Sequence, residues 1–414
     1  MVFSNSFFNE ESLLASLLRQ VQINTEIRKL DFLLFHRLII FSSLFCFLFF
    51  VFTFTRFLFF YSVLPKQVSF EFFFRLPGYS FLLFFLLVFV FFFSLFLSFP
   101  VPPFSLSFLP TTTTTMSAIF AETTFQVLKY GGAISLSITV IALAFLYRYQ
   151  KTLIYPSSFP EGSRTAVATP KEFGIDYEQI SLKTRDKVTL DSYLMLQSKA
   201  PESCPTLLYF HANAGNMGHR LPIARVFYSA LGMNVFIISY RGYGRSTGSS
   251  NELGMNIDAQ TALDFLQQHP ICSSTNIVVY GQSVGGAVAL SLASKNESLI
   301  SALVLENTFT SIKDMIPTVF PYIGSLLSHF CTEKWESVRA IRKLHNLPVL
   351  FLSGAEDEIV PPPQMQLLYG LCPSKQKRLC IFPKSKHNDT CLGEGYFHSI
   401  AEFLRSNNVR TSAD

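Results

Sequence analysis

The sequence has few cysteines, and they show no paired arrangement. Its 414 residues include 7 cysteines, which are scattered and form no C-x-x-C pair. An odd number at irregular spacing favours neither a disulfide framework nor a zinc site. We therefore expect no metal and no cofactor.

The chain also lacks the basic character of a nucleic-acid-binding protein. Its formal net charge is +5 at pH 7, which is small for this length, and no basic run is interleaved with aromatic residues. Binding to phosphate backbones depends on such basic surfaces. We expect no nucleic-acid partner.

Phenylalanine dominates the amino-terminal part of the chain. The first 110 residues hold 30 of the 46 phenylalanines, and from Phe81 to Pro110 all but three positions are Phe, Leu, Ser or Pro. Pyrimidine-only codons encode these four residues, which favours a translated leader or retained intron over residues 1–115, with Met116 as the start. The alternative is a pair of transmembrane segments, around 32–64 and 81–99, because both exceed the roughly 18 apolar residues that span a bilayer.

A shorter apolar segment follows at residues 131–149, GGAISLSITVIALAFLYRY, which holds no charge before Arg148. Its length suits one membrane helix. The ordered regions of a signal peptide are not evident, so we expect an uncleaved single-pass anchor in the endoplasmic reticulum or plasma membrane. Arg148 and Lys151 after the segment, against Lys129 before it, favour a cytoplasmic carboxy-terminal domain.

After Tyr155, strand and helix patterns alternate, which is typical of a parallel sheet covered by helices. Two alternating stretches, around 177–182 and 187–196, predict an antiparallel hairpin at the edge of the sheet. Together the patterns predict one α/β domain over residues 156–408. The predicted buried strands are Thr206–His211, Asn234–Tyr240, Asn276–Gly281, Ala302–Asn307, Pro348–Gly354 and Arg378–Pro383.

One serine lies between two glycines at the end of a predicted strand. In VVYGQSVGGAVALSLASK, Gly281, Ser283 and Gly285 match the G-x-S-x-G nucleophile elbow. There a strand turns sharply into a helix, so glycine is needed where the two backbones approach each other. A small-residue turn that happens to contain serine has the same pattern, so the surrounding sequence must decide.

Two further polar residues follow predicted strands. Asp357 lies three residues past Gly354 in SGAEDEIVPP, and His387 lies in PKSKHNDT after the last strand. Ligands bind at this edge of open α/β sheets, and the order Ser, Asp, His is that of the α/β-hydrolase triad. The histidine would take the serine proton, and the aspartate would orient the imidazole. Glu356 and Glu358 are the adjacent alternatives to Asp357.

An acyl transfer also needs N–H donors for the developing oxyanion. The first expected donor is the backbone of Val284, directly after the serine. The segment FHANAGNMGHR follows an earlier strand and supplies the second, which we assign to Asn213 with Ala212 as its near neighbour. The alternative is that its small residues and asparagines only form a turn.

Six motifs together resemble the membrane-anchored α/β-hydrolases of the fungal bud-emergence (Bem) type and their animal relatives. They are HANAGNMGHRLP, YRGYGRSTG, GQSVGG, ENTFTS, SGAEDEIVPP and KHNDT. The resemblance covers about residues 131–408. It implies an α/β-hydrolase fold, with a mostly parallel sheet flanked by helices and preceded by a transmembrane helix. It also implies a serine hydrolase whose triad is Ser283, Asp357 and His387.

One loop departs from the family pattern, and two further segments have expected roles near the active site. The oxyanion loop begins with His211-Ala212, where the family commonly has His-Gly. The region 309–344 lies where this fold inserts its lid, and its apolar residues would contact an acyl chain or pack on the core. YRGYGRSTG lacks the Lys-Ser/Thr ending of a phosphate-binding loop, so we expect it to shape the active site.

The sequence thus predicts a membrane-anchored serine hydrolase that cleaves an ester, thioester or amide through an acyl-enzyme. Anchoring favours a lipid or lipidated-protein substrate, such as a palmitoylated cysteine. A serine peptidase is the alternative among enzymes, and a non-catalytic scaffold in cell polarity is the alternative outside them. Asn296 and Asn388 open glycosylation sequons, and we expect Asn388 to stay unmodified because a glycan there would crowd His387.

Overall fold

The computed structural model describes residues 113–409. Almost all of the leader predicted at 1–115, including both alternative membrane segments, lies outside the described residues. The first described element is the long helix α1 (Thr113–Ile154). Its stretch Lys129–Ile154 is long and apolar enough to cross a membrane, and its most apolar window has no residue buried against the described chain. The helix therefore includes the predicted anchor at 131–149 and continues past both of its ends.

Within the described residues, eight strands form one sheet. They are β1 (Glu178–Lys183), β2 (Thr189–Met195), β3 (Thr206–Phe210), β4 (Asn234–Ile238), β5 (Ile277–Gln282), β6 (Ala302–Glu306), β7 (Val349–Gly354) and β8 (Lys377–Phe382). Their order is β1-β2-β4-β3-β5-β6-β7-β8. The pairs β1–β2 and β2–β4 are antiparallel, and the other neighbours are parallel. The predicted edge hairpin and the six further predicted strands are confirmed, with ends shifted by at most two residues. The strand predicted at 378–383 is not buried, however: β8 is the second edge strand of the sheet, and only its Phe382 is buried.

Helices cover both faces of this sheet. They are α2 (Leu221–Ser229), α3 (Glu252–Gln268), α4 (Val284–Ala293), α5 (Ile312–Val319), α6 (Gly324–Leu327), α7 (Ser337–Ile341), α8 (Pro362–Leu371) and α9 (Tyr396–Ser406). Apolar residues of α2 and α9 join the core on one face, and those of α3, α4, α7 and α8 join the core on the other. The sheet is therefore sandwiched between two helical layers.

The central strands are apolar at successive positions because both of their faces are buried. In β3, Leu207 and Tyr209 belong to one core, while Leu208 and Phe210 belong to the other. This two-sided burial explains the continuous apolar runs in the sequence. Polar side chains that must meet a ligand are consequently left to the loops at the strand ends.

Candidate active site

Ser283 forms the tight connection between β5 and α4. Its φ angle is 55°, in the left-handed region. Its N–H donates to the carbonyl of Glu306 at 2.9 Å, and its own carbonyl accepts from the N–H of Gly286 at 2.9 Å. Strain of this kind in a non-glycine residue persists only where the surroundings fix it. The strand, turn and helix of a nucleophile elbow are therefore present at Ser283.

The two flanking glycines make this turn possible. A Cβ on Gly281 would collide with the main chain of Gly285, and a Cβ on Gly285 would collide with the carbonyl oxygen of Phe210 in β3. These obstacles are backbone atoms, which cannot move aside like the end of a flexible side chain. The close approach of β5, α4 and β3 thus requires glycine at both positions.

Asp357 and His387 are in direct contact. The Nδ1 atom of His387 lies 2.8 Å from Oδ2 of Asp357, and both residues are buried. The second carboxylate oxygen, Oδ1, accepts from the N–H groups of Ile359 at 2.9 Å and Val360 at 2.8 Å. The carboxylate is held by the turn that follows it and can fix the orientation of the imidazole ring.

The two neighbouring glutamates are placed differently. Glu356 is exposed. Glu358 is also exposed, and its carboxylate accepts a hydrogen bond from the main-chain N–H of His387 at 3.4 Å. Among the three carboxylates of this loop, the ring nitrogen therefore pairs with Asp357. Asp357 is also the carboxylate predicted from its position three residues past Gly354.

Asn307 connects the loops that carry these residues, and the sequence reasoning gave it no role. It directly follows β6 with a φ of 44°. Its amide nitrogen donates to the carbonyl of His387 at 3.0 Å and to Oγ1 of Thr390 at 2.8 Å. Its amide oxygen accepts from the N–H of Gly354 at 2.9 Å. One side chain thus joins the end of the aspartate strand to the histidine loop.

The residues on either side of Asn307 hold the elbow. The carbonyl of Glu306 accepts from the N–H of Ser283, and Oγ1 of Thr308 donates to the carbonyl of Ser283 at 2.8 Å. All three residues belong to ENTFTS, so that motif was the available signal. Residues 306–308, at the carboxyl end of β6, therefore hydrogen-bond to the serine turn, the histidine loop and the end of β7.

The side chain of Glu306 lies in a buried polar cluster. Its Oε2 accepts from the hydroxyls of Tyr280 and Tyr396, and its Oε1 accepts from Nε2 of Gln282 at 3.1 Å. Burial raises the pKa of Glu306, while the two hydroxyls and nearby His387 act to lower it. The cluster ties β5, β6 and α9 together next to the elbow.

Val284 and Asn213 are the two residues predicted to donate backbone N–H groups to the oxyanion. Within residues 113–409 the N–H groups of Val284 and Asn213 donate to no protein acceptor. Val284 opens α4, and the first N–H groups of a helix have no intrahelical partner. The hydroxyls of Tyr243 and Tyr240 donate to the carbonyls of Asn213 at 2.7 Å and His211 at 3.0 Å. Both tyrosines come from YRGYGRSTG, which therefore shapes this loop.

His211 stiffens the start of the same loop. Its ring is fully buried, and its Nδ1 lies 2.7 Å from the carbonyl oxygen of Ala212. Burial lowers the pKa of His211 to about 3. The ring is consequently neutral near pH 7, and a neutral Nδ1–H can donate to the Ala212 carbonyl.

The described part of the chain offers no donor set for a metal ion. No group of three or more His, Cys, Asp or Glu residues there is placed to hold one. Its cysteines are free thiols, and burial raises the pKa of Cys391 well above the ordinary range. Ser283, at the strained turn after β5, is the nucleophile candidate predicted from the sequence.

Comparison with known proteins relates this chain to proteins with the α/β-hydrolase fold. A family model described as alpha/beta hydrolase fold matches residues 205–322. The chain is 70% identical over 298 residues to "Protein bem46" of Schizosaccharomyces pombe, covering 72% of this chain and 100% of that protein. It is 43% identical to "Uncharacterized membrane protein YNL320W" of Saccharomyces cerevisiae, covering 66% of this chain and 94% of that protein.

A solved structure shares the fold. The esterase Pf2001 of Pyrococcus furiosus superposes with a TM-score of 0.51 at 19% identity, covering 57% of this chain and 94% of that one. At 19% identity, this similarity shows a shared fold and nothing about substrate. The predicted α/β-hydrolase fold is confirmed.

Proposed function

Because the chain belongs to the α/β-hydrolase family that includes the bem46 protein, we propose that it is a membrane-anchored serine hydrolase. It cleaves an ester, thioester or amide through an acyl-enzyme. The observation that carries this proposal is the 2.8 Å contact between His387 Nδ1 and Asp357 Oδ2, at the sheet edge where the strained Ser283 lies.

In this mechanism Oγ of Ser283 attacks the substrate carbonyl while Nε2 of His387 takes the hydroxyl proton. The Asp357 carboxylate accepts from Nδ1 and stabilises the imidazolium that forms. The N–H groups of Val284 and Asn213 donate to the oxyanion. When the bond to the leaving group breaks, His387 returns the proton to that group. Water then attacks the acyl-enzyme by the same route and releases the acid.

The substrate class follows from the proposed anchor. The apolar length of α1 and the relative named as a membrane protein support membrane association. A bilayer-bound enzyme meets lipids and lipidated proteins at high local concentration, so we propose an acyl ester or an S-acylated cysteine as substrate. The region 309–344, where this fold inserts its lid, contributes the exposed apolar residues such a substrate would contact.

The test combines active-site labelling with a substrate panel. The full chain in detergent is treated with a fluorophosphonate, and ester, thioester and peptide substrates are compared. We expect labelling and turnover in the unsubstituted chain and in Ser273→Ala, which changes an exposed serine at the other end of β5. We expect neither in Ser283→Ala. Labelling that persists in Ser283→Ala contradicts the assignment, and preference for the peptide substrate favours a peptidase.

A further inference from the structure

An exposed apolar surface lies in the segment that runs from the start of α5 to the loop before α7. We call it the lid patch, and its members are Val319, Phe320, Tyr322, Ile323, Leu326 and Phe330. Tyr322 is 99% exposed and Leu326 is 60% exposed. By contrast, Ile312 and Met315, earlier in the same segment, are buried in the core. The segment is therefore anchored at its start and turned outward in its middle.

The composition of this segment is unusual for a surface exposed to water. From Met315 to Ser328 the chain has no Asp, Glu, Lys, Arg or His. Scattered apolar residues are normal on protein surfaces, but a contiguous apolar group marks an interaction surface. Six large side chains within twelve consecutive residues form such a group.

The chain that leaves the lid patch is bonded to the end of α1. Oε1 of Gln150 accepts from the N–H of Thr332 at 2.7 Å and from its hydroxyl at 3.1 Å. Nζ of Lys151 lies 3.8 Å from Glu333. Thr332 is two residues past Phe330, so these contacts hold the patch beside the helix end.

Buried polar bonds reinforce this junction. The hydroxyl of Tyr155, directly after α1, donates to Oε2 of Glu333 at 2.7 Å and accepts from Nε1 of Trp335 at 2.7 Å. The same Oε2 accepts from the N–H of Glu252 at 2.5 Å. Tyr155, Glu333 and Trp335 are all buried. The end of the helix and the end of the lid therefore form one packed unit.

We propose that the lid patch inserts into the interfacial layer of the same bilayer that α1 crosses. This inference rests on the membrane anchor of the proposed function. Gln150 lies two residues past Arg148, which is about 3 Å along a helix axis. The residue that Gln150 binds is thus at the depth of the membrane surface, where tyrosine, phenylalanine and aliphatic side chains partition favourably.

Insertion of the lid patch would bring the bilayer close to the chain that holds the serine turn. Thr308, directly before the lid region, donates to the carbonyl of Ser283, and Thr332, two residues past the lid patch, donates to Gln150 of α1. The lid patch therefore lies, along the chain, between a residue bonded to the elbow and a residue bonded to the end of α1. In this proposal an acyl chain leaves the membrane along the lid patch.

Quenching by brominated lipids tests the insertion. Trp335 is the only tryptophan and is buried, so it supplies a baseline. The full chain is reconstituted in vesicles of phosphatidylcholine with or without bromine on the acyl chains. We expect bromine to quench the emission added by Tyr322→Trp or Phe330→Trp. The emission added by Leu299→Trp, an exposed site before β6 at the opposite sheet edge, should be unchanged.

Two controls separate this inference from the function it rests on. Carbonate extraction reports whether the chain stays in the bilayer, and thermal melting reports whether each variant is folded. A chain released by carbonate contradicts the anchor. A retained, folded chain in which neither lid tryptophan is quenched overturns the insertion alone, as when residues 1–112 or a second protein cover the patch. Two lid positions, both exposed, keep the test valid should one substitution disturb the local fold.

Discussion

At the scale of single residues, burial and hydrogen bonding separate Asp357 from its neighbours. Asp357 is buried, faces the ring of His387 and accepts two backbone N–H groups. Glu356 is exposed to solvent. A carboxylate fixed in this way loses little entropy when the imidazolium forms, whereas an exposed one must first be ordered.

Replacing Asp357 by Asn tests this difference. The amide keeps the shape of the side chain but removes the charge and favours the wrong imidazole tautomer, so we expect kcat to fall by about 10⁴-fold. The Glu356→Gln change is the matched control, and we expect it to leave kcat close to that of the unsubstituted chain. The measurement is steady-state hydrolysis of the best substrate from the panel. A larger loss in Glu356→Gln than in Asp357→Asn would show that the carboxylate has been misassigned.

The sequence predicted some of these residues and missed others for a physical reason. Ser283 and Asp357 were predicted because a nearby glycine and a strand end give each a local pattern. Asn307 has no such pattern, since its partners Gly354 and Thr390 lie 47 and 83 residues away along the chain. The order of strands in the sheet determines such long-range contacts, and that order cannot be read from the local patterns of one sequence.

At the scale of secondary-structure elements, the site depends on how closely β3, β5 and α4 approach each other. The strands were predictable because two-sided burial makes them continuously apolar. The insertion of β4 between β2 and β3 was not, because apolar runs do not say which strands are neighbours. The outward turn of the lid patch was missed for a similar reason: helical spacing alone left core packing and ligand contact equally open.

A pair of glycine substitutions tests the close approach. Gly285→Ala places a Cβ against the carbonyl of Phe210, so we expect the free energy of unfolding to fall by about 1–3 kcal/mol. We also expect hydrolysis to fall, because the elbow must shift. Gly370→Ala is the control, since nothing lies within 4 Å of the added Cβ in α8, and a gain of about 0.5–1 kcal/mol is expected there.

Thermal melting of the full chain in detergent, followed by activity at a temperature where both variants are folded, measures the two effects. Equal melting temperatures for the two alanine variants would show that the elbow has room for a side chain. A loss of activity in the Gly370→Ala variant would likewise contradict the view that only the packed glycine matters.

At the scale of the whole molecule, the charges that flank the apolar stretch of α1 predict the orientation of the domain. Arg148 and Lys151 follow the apolar stretch of α1, and Lys129 precedes it. This excess of positive charge after the apolar stretch favours an orientation with the domain in the cytoplasm.

We therefore expect the catalytic domain to be degraded when sealed microsomes carrying the full chain are treated with protease. A luminal marker should survive the same treatment until detergent is added. If the domain is protected along with the marker, it is luminal and the orientation is wrong. The sequons do not replace this test, because Asn388 is exposed directly beside the buried His387 and a glycan there would obstruct the residue that passes protons. An active enzyme should leave that asparagine unmodified on either side of the membrane, so only protease access distinguishes the two orientations.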